Sequence, residues 1–489
     1  MDWNTLIDVR AVGAMLREDH ARFAHPIREA LIVFLSGLPA AAQRDILVQQ
    51  AALPASAGTA QRLRLLAQQC PVLHKLGQSL ARDKRLHASL RQEFRKLEML
   101  PCSIPPQTLR AALEQELGTL DRLGIELAPT AIAEASVAIV VAYRDQQRSG
   151  VFKILKPGIE ERLALELELL GRVGLHLDQR CGELGIPKIG YDEAFRQISD
   201  KLQDEVRLDL EQQHLGVAAS QYASHDRVQI PALHPYCTRR VTAMERVIGC
   251  KVTDHVELTT TQRARLAVDV ASALLTRPIL CTGENALFHG DPHAGNLLLT
   301  PDRRIAVLDW SLAGTLGPHE REAMIHMLLG AMQRDERRVA AMLANLAEGA
   351  AADEIRLRGV VEQQFCTLRP GQLPDFSWLI GLMDSAVERG GLQVRAELLL
   401  FRKALHTLHN LIIDIGSSDR LIDEALFAGF IQHLIAEWPL RWLALPHSRA
   451  FASRLSNADL AEVMLRAPSA SFRFFMHLTL GAFSRTRAS

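Results

Sequence analysis

Polar chemistry is concentrated in Phe288-His289-Gly290-Asp291-Pro292-His293-Ala294-Gly295-Asn296 and, after two short apolar runs, in Leu308-Asp309-Trp310-Ser311. Phosphoryl transfer from a nucleotide asks little covalent work of a protein. It needs a carboxylate near the acceptor hydroxyl and oxygen ligands for magnesium beside the phosphates. Asp291, Asn296 and Asp309 supply that set. Alone, Asp291 and Asn296 would read as turn caps in a polar loop. The intervening hairpin, which brings Asp309 back toward them, favours a magnesium and phosphate site. His289 and His293 do not complete a transition-metal site, because magnesium prefers oxygen, and they are expected to brace the loop by hydrogen bonds.

Several elements must position these groups. Residues 296–308 hold Leu297-Leu298-Leu299 and Ile305-Ala306-Val307-Leu308 around the turn former Thr300-Pro301-Asp302-Arg303-Arg304, which predicts the hairpin. Upstream, residues 136–143 and 151–155 are β-branched runs about a turn at 145–150, a second hairpin. Residues 228–230 and 241–244 read as further strands. Helical periodicity covers 10–25, 26–35, 40–50, 60–70 and 108–117, then 159–179 and one continuous stretch at 191–220, and nearly everything after 258. Pro54, Pro71, Pro101, Pro105 and Pro106 punctuate the first block.

Composition limits the function classes. The 489 residues are 48% apolar and only 5% aromatic, which disfavours an all-β fold. Basic and acidic side chains balance at 56 each without a basic stripe, so a nucleic-acid partner is not expected. Seven cysteines without a Cys-x-x-Cys pair indicate neither a disulfide framework nor a zinc cluster, and a reducing compartment fits. The N-terminus lacks a secretory pattern, and the apolar runs fall short of the roughly 18 residues that cross a bilayer. A cytoplasmic protein, soluble or peripheral on a membrane, is expected. The aromatic and basic segment at 471–480 is a candidate membrane contact or a core helix.

His-Gly-Asp-Pro-His-Ala-Gly-Asn with the later Leu-Asp-Trp resembles the catalytic and metal-binding segments of the protein-kinase-like superfamily, most closely its UbiB (AarF) branch. The resemblance implies an α+β, two-lobed, predominantly helical kinase-like fold with a helical N-terminal extension. The corresponding division is residues 1–120 for the extension, 121–245 for the small lobe and 246–489 for the large lobe. A kinase-like small lobe needs a strand lysine, and Val151-Phe152-Lys153-Ile154-Leu155 provides it. Only nine lysines occur in the chain, and an unpaired one inside an apolar strand would be costly. Lys75-Leu76-Gly77-Gln78 matches the family's Lys-x-Gly-Gln signature, and residues 100–106 resemble the proline-ended stretch that follows it. Ala133-Glu134-Ala135-Ser136-Val137-Ala138 resembles its alanine-rich loop in place of a glycine-rich one, with Ala133, Ala135 and Ser136 as nucleotide contacts. Met244 and Glu245 stand where the family's lobe-joining segment meets adenine.

In that resemblance Lys153 holds phosphates and pairs with Glu205, Asp291 orients the nucleophile, and Asn296 and Asp309 bind magnesium. Lys75, Gly77, Gln78 and Glu211 are regulatory, and Glu205 and Glu211 are expected on one helix. ATP and Mg2+ are the implied cofactors. A role in ubiquinone or other isoprenoid-lipid metabolism is implied as well, with isoprenoid lipid or a membrane surface as partners and a homodimer or biosynthetic complex left open. The chain also departs from the pattern: Arg207 stands where the Glu-x-Asp segment has an acid, and Trp310-Ser311 replaces Phe-Gly. Two alternatives stay open, a small-molecule phosphotransferase of the aminoglycoside or choline kinase type and a nucleotide-binding pseudokinase scaffold.

Overall fold

The β-branched runs form strands and the amphipathic runs form helices in the computed structural model, which describes residues 3–81, 83, 85–98, 104–188, 190–255, 257–348, 353–369, 372–418 and 420–465. Most of the proline-ended stretch at 100–106 and all of the 471–480 segment lie outside those residues. Ten strands occur among the described residues: β1 (Glu126–Glu134), β2 (Ala138–Arg144), β3 (Ser149–Leu155), β4 (Val228–Gln229), β5 (Val241–Glu245), β6 (Cys250–Lys251), β7 (Ala286–His289), β8 (Leu297–Leu299), β9 (Ile305–Val307) and β10 (Ala313–Leu316). Helices dominate, the sheets are small, and every strand pair is antiparallel except β4 with β9, which is the α+β class expected.

Contacts divide the chain into two compact units, Met1–Leu215 with Pro231–Arg246 and Gly216–Ile230 with Val247–Ser489. The first is built on the antiparallel sheet β1-β2-β3-β5. Alternation along β3 sets its two faces. Phe152 and Ile154 enter a core with Ile139, Val141, Tyr143, Val241 and Ala243. Leu155, on the face shared with Lys153, joins Val137, Ala138, Ile159 and Leu208 in a second small core. The edge strand β1 escapes the sequence pattern because it carries Pro129 and its register shifts twice between Leu127 and Ala133.

The N-terminal helices do not form a unit of their own. Phe34, Leu35 and Leu38 share a core with Leu163, Leu167, Leu170 and Val173 of the Ile159–Arg180 helix, so residues before 120 fold together with the small sheet's unit. Gly158, at φ +67°, turns the chain from β3 into that helix, a conformation that favours glycine. The helix expected at 191–220 is two, Tyr191–Asp204 and Leu208–Tyr222.

The second unit carries the hairpin β8–β9, with Leu297 opposite Val307 and Leu299 opposite Ile305, flanked by β6 and β4. A separate two-stranded ladder pairs β7 with β10. Long helices follow, among them Ala396–Gly416 and Arg420–Arg441. No described helix is long and apolar enough to cross a membrane.

Candidate active site

In the first unit Lys153 Nζ donates to Glu211 Oε1 at 2.8 Å, with the lysine side chain 10% exposed and the glutamate 1%. The sequence expectation that Glu205 makes this pair is corrected. The helix stops at Asp204, so Glu205 lies in the connection rather than on a shared face, and it meets Lys75 Nζ at 2.7 Å instead. Leu208, fully buried beside Leu155, anchors the next helix against the Lys153 face of the sheet, and Glu211 follows one turn later. Arg207 pairs with its own neighbour instead. Its guanidinium grips Asp209, at 2.9 and 2.8 Å, and holds that carboxyl below the usual range.

Each position of the Lys-x-Gly-Gln motif has a physical task. Lys75 makes the bridge to Glu205. At Gly77 a Cβ would meet Leu97 Cδ1 at 2.7 Å, so any larger residue requires Leu97 to shift. Gln78 donates to the Leu97 carbonyl at 2.9 Å, and His74 Nε2 reaches the same oxygen at 2.9 Å. Burial depresses His74 to a pKa of about 4 despite that hydrogen bond. The Pro71–Leu80 helix is pinned at its start, where the Val72 N–H donates to buried Glu166 at 2.9 Å. Desolvation raises Glu166 to about 7.

The alanine-rich segment runs from the end of β1 through the turn into β2. Ala135 N–H donates to the Ala138 carbonyl at 2.8 Å, and residues 133–138 show no positive φ, as a loop without glycine requires. Ser136 is buried and Ala133 and Ala135 are partly so. Glu134, quoted only as part of the motif, ties the turn to the end of β3 through a 2.7 Å bridge to Lys156. On β5, the Glu245 N–H donates to the Ala232 carbonyl at 2.8 Å and Met244 bridges to Leu233, so that Glu245 amide is engaged within the protein.

In the second unit the histidines brace the loop as expected. His289 Nε2 donates to the Leu308 carbonyl at 3.0 Å while its Nδ1 accepts from the Asp291 N–H at 3.1 Å, and complete burial lowers its pKa. His293 Nδ1 accepts from Gly295 N–H at 3.0 Å. The hairpin is closed at its base by Leu308 N–H to the Asn296 carbonyl at 2.8 Å, which sets Asn296 beside Asp309. Asn296 Nδ2 also donates to the Asp291 carbonyl at 3.3 Å. These bonds bring the three candidate oxygen donors into one loop system.

Asp309 adopts φ +50°, a left-handed conformation that aspartate tolerates better than most residues. The Trp310-Ser311 departure now has a physical account. Trp310 is fully buried, donates its indole N–H to the Val307 carbonyl at 3.2 Å, and meets the His289 ring edge-to-face at 5.0 Å. Ser311 donates its hydroxyl to Asp309 Oδ1 at 2.6 Å and its N–H to the same oxygen at 3.2 Å. Ser311 thus orients the carboxylate. Nothing in the motif flagged it, since its role depends on the backbone turn at Asp309. Oxygen donors from Asn296 and Asp309 suit magnesium, which keeps water and phosphate ligands for the rest.

The fold and these two groups of side chains define a kinase-like protein. Residues 101–343 match the ABC1 atypical kinase-like domain. The chain belongs to the UbiB (AarF) family of atypical kinase-like proteins. It is 26% identical over 367 residues to a "Probable protein kinase UbiB" of Haemophilus ducreyi, covering 70% of this chain and 66% of that one. It is 27% identical to "Protein ACTIVITY OF BC1 COMPLEX KINASE 3, chloroplastic" of Arabidopsis thaliana, over 56% of this chain and 38% of that one. The matched regions therefore span about two thirds or less of these relatives. Among solved structures, the Rv3197–erythromycin complex of Mycobacterium tuberculosis aligns at 22% identity and a TM-score of 0.47, over 67% of this chain and 84% of that one, too loose a likeness to carry an argument.

Proposed function

We propose that the protein binds ATP with magnesium and transfers or hydrolyses its terminal phosphoryl group. The observation that carries this reading is the closed hairpin base, where the Leu308-to-Asn296 bond sets Asn296 beside Asp309 and Asn296 in turn holds the Asp291 backbone. Bound magnesium supplies neutralisation of phosphate charge. Asn296 and Asp309 hold it, Ser311 fixes the Asp309 carboxylate, and Asp291 accepts the proton of the attacking hydroxyl or water. Lys153, kept in place by Glu211, takes the α- and β-phosphates. Ala133, Ala135 and Ser136 line the nucleotide, and Met244 and Glu245 flank adenine. Glu205 acts through Lys75 rather than as a catalytic acid, which places both with Gly77 and Gln78 in a regulatory group. Residues 1–120 serve as the extension, within the small sheet's unit rather than apart from it, residues 121–245 as the small lobe except for Gly216–Ile230, and residues 246–489 as the large lobe.

The role this reading gives the protein is in ubiquinone or other isoprenoid-lipid metabolism, which the UbiB names of the relatives support, and it would act at a membrane surface from the cytoplasm. The test is magnesium-dependent ATP binding and phosphate release by the wild-type chain and Asp309→Asn, with and without membrane lipid or phenolic isoprenoid analogues. Turnover that vanishes in the variant and rises with lipid supports the reading. ATP binding without turnover would replace it with a nucleotide-binding scaffold, and no ATP binding would overturn it.

A further inference from the structure

Lys403 lies outside every motif described so far, on the Ala396–Gly416 helix, yet its Nζ stands 3.5 Å from Asp291 Oδ1. The helix is held in register by packing in the turn before that contact. Leu400 fits against two glycines: a Cβ on Gly290 would meet Leu400 Cδ1 at 3.0 Å, and one on Gly314 would meet Leu400 Cδ2 at 3.3 Å. Phe401 meets Phe288 edge-to-face at 5.0 Å. Lys403 follows Leu400 by three residues and so shares its face, one turn further along. The register that seats Leu400 beside Gly290 thereby delivers the ammonium to the neighbouring Asp291.

On the other carboxylate oxygen, His293 Nε2 lies 3.8 Å from Asp291 Oδ2. The aspartate is flanked on both sides. Side-chain exposure is 44% for Lys403 and 19% for Asp291, so the ammonium keeps access to an incoming group. Composition supports a specific use. Only nine of the 56 basic residues are lysine, and Lys403 is the only one after Lys251. Three other lysines, at 75, 153 and 156, hold glutamates in the motif-bearing part of the first unit. A compact ammonium is a point charge that can serve a carboxylate and a phosphoryl oxygen in turn, whereas a guanidinium locks onto one planar partner.

We propose that Lys403 is a further catalytic residue of the phosphoryl-transfer site, a cation that holds the Asp291 carboxylate before reaction and shares its charge with the transferring phosphoryl group. This rests on the ATP-dependent reading above. In the step itself, the acceptor oxygen forms a bond to the γ-phosphorus as the bond from that phosphorus to the β–γ bridging oxygen breaks. The electron pair leaves on ADP, the acceptor proton passes to Asp291, and Lys403 faces the added negative charge on the phosphoryl oxygens. The exposed alternative, a surface ion pair with no role in turnover, would leave the rate unchanged.

The test is steady-state phosphate release from magnesium ATP by the full-length chain, with ATP affinity measured separately by calorimetry. Lys403→Ala should lower kcat about 10- to 100-fold while ATP affinity and KM stay within about twofold. Lys403→Arg should recover part of the loss. Glu397→Gln, which removes another exposed ion pair on the same helix, should match wild type. A Lys403→Ala variant with wild-type kcat, or one whose loss lies entirely in ATP affinity, would overturn the proposal. Absence of turnover in wild type would instead overturn the phosphoryl-transfer reading and this proposal with it. Thermal melting of both Lys403 variants guards against unfolding as the cause.

Discussion

The motif-bearing parts of the two units handle charge in opposite ways. In the first, lysines are matched to buried glutamates at hydrogen-bond distance: Lys153 with Glu211, Lys75 with Glu205, Lys156 with Glu134. In the second, the candidate carboxylates sit in a braced but open loop. Asp291 keeps its Lys403 partner at a looser 3.5 Å, and Asp309 is held by a hydroxyl and an amide on a left-handed backbone. Buried pairs resist rearrangement because breaking one leaves a charge without compensation. A loop fixed through its backbone can hold carboxylates steady without neutralising them, which is what a cation and phosphate site requires. One region spends its charges on holding itself together, and the other keeps them available for a ligand.

The largest expected effect separates activity from stability. Asp309→Asn should reduce phosphate release by about 10³-fold or more, while its melting temperature stays near wild type because asparagine also accepts a positive φ. A large fall in melting temperature would show that the carboxylate is structural. The counterpart is Glu211→Gln, which removes the anion of a buried pair and should cost about 3 kcal/mol in denaturant unfolding. A neutral outcome there would erase the contrast between the units.

A pH series sharpens the comparison. His74 is depressed to about 4 when folded, against an ordinary value near 6.5, so its stabilising contribution is complete above 6.5 and is lost as pH falls toward 4. Glu166 works the other way: raised to about 7, it favours the folded state while protonated, and that contribution is lost as pH rises from 4.5 through 7. Thermal melts of His74→Gln between pH 4 and 6.5 should show a shallower acid decline than wild type, by a few kcal/mol at most. An unchanged slope would mean that His74 is not the group responsible. Gly77→Ala should destabilise by about 1–3 kcal/mol, since Leu97 must move to admit the methyl group. The smallest effect is Glu205→Gln, about 1 kcal/mol, because Lys75 is partly exposed. A loss as large as that of Glu211→Gln would place Glu205 in the buried pair after all.

Residue type and short-range spacing determined a good deal by themselves. Lys153 inside an apolar run, the turn chemistry between Leu299 and Ile305, and the polar loop from His289 to Asn296 are local features. Strand alternation and hydrogen-bonding capacity act over a few residues, so both hairpins and the bracing histidines were legible. The chain's periodicity could not show where the 191–220 helix breaks, and that break decided which glutamate serves Lys153. A three-residue connection changes direction without altering the apolar pattern on either side. Strand β1 was hidden for a related reason, since an exposed edge with a proline and two register shifts has no clean alternation. The role of Ser311 and the placement of Lys403 were beyond motif reading: one depends on the backbone turn at Asp309, the other on how Leu400 seats against two glycines distant in sequence. Sequence specifies which side chains can do chemistry, whereas packing between distant elements selects which of them meet, because burial and close approach are properties of the assembled core.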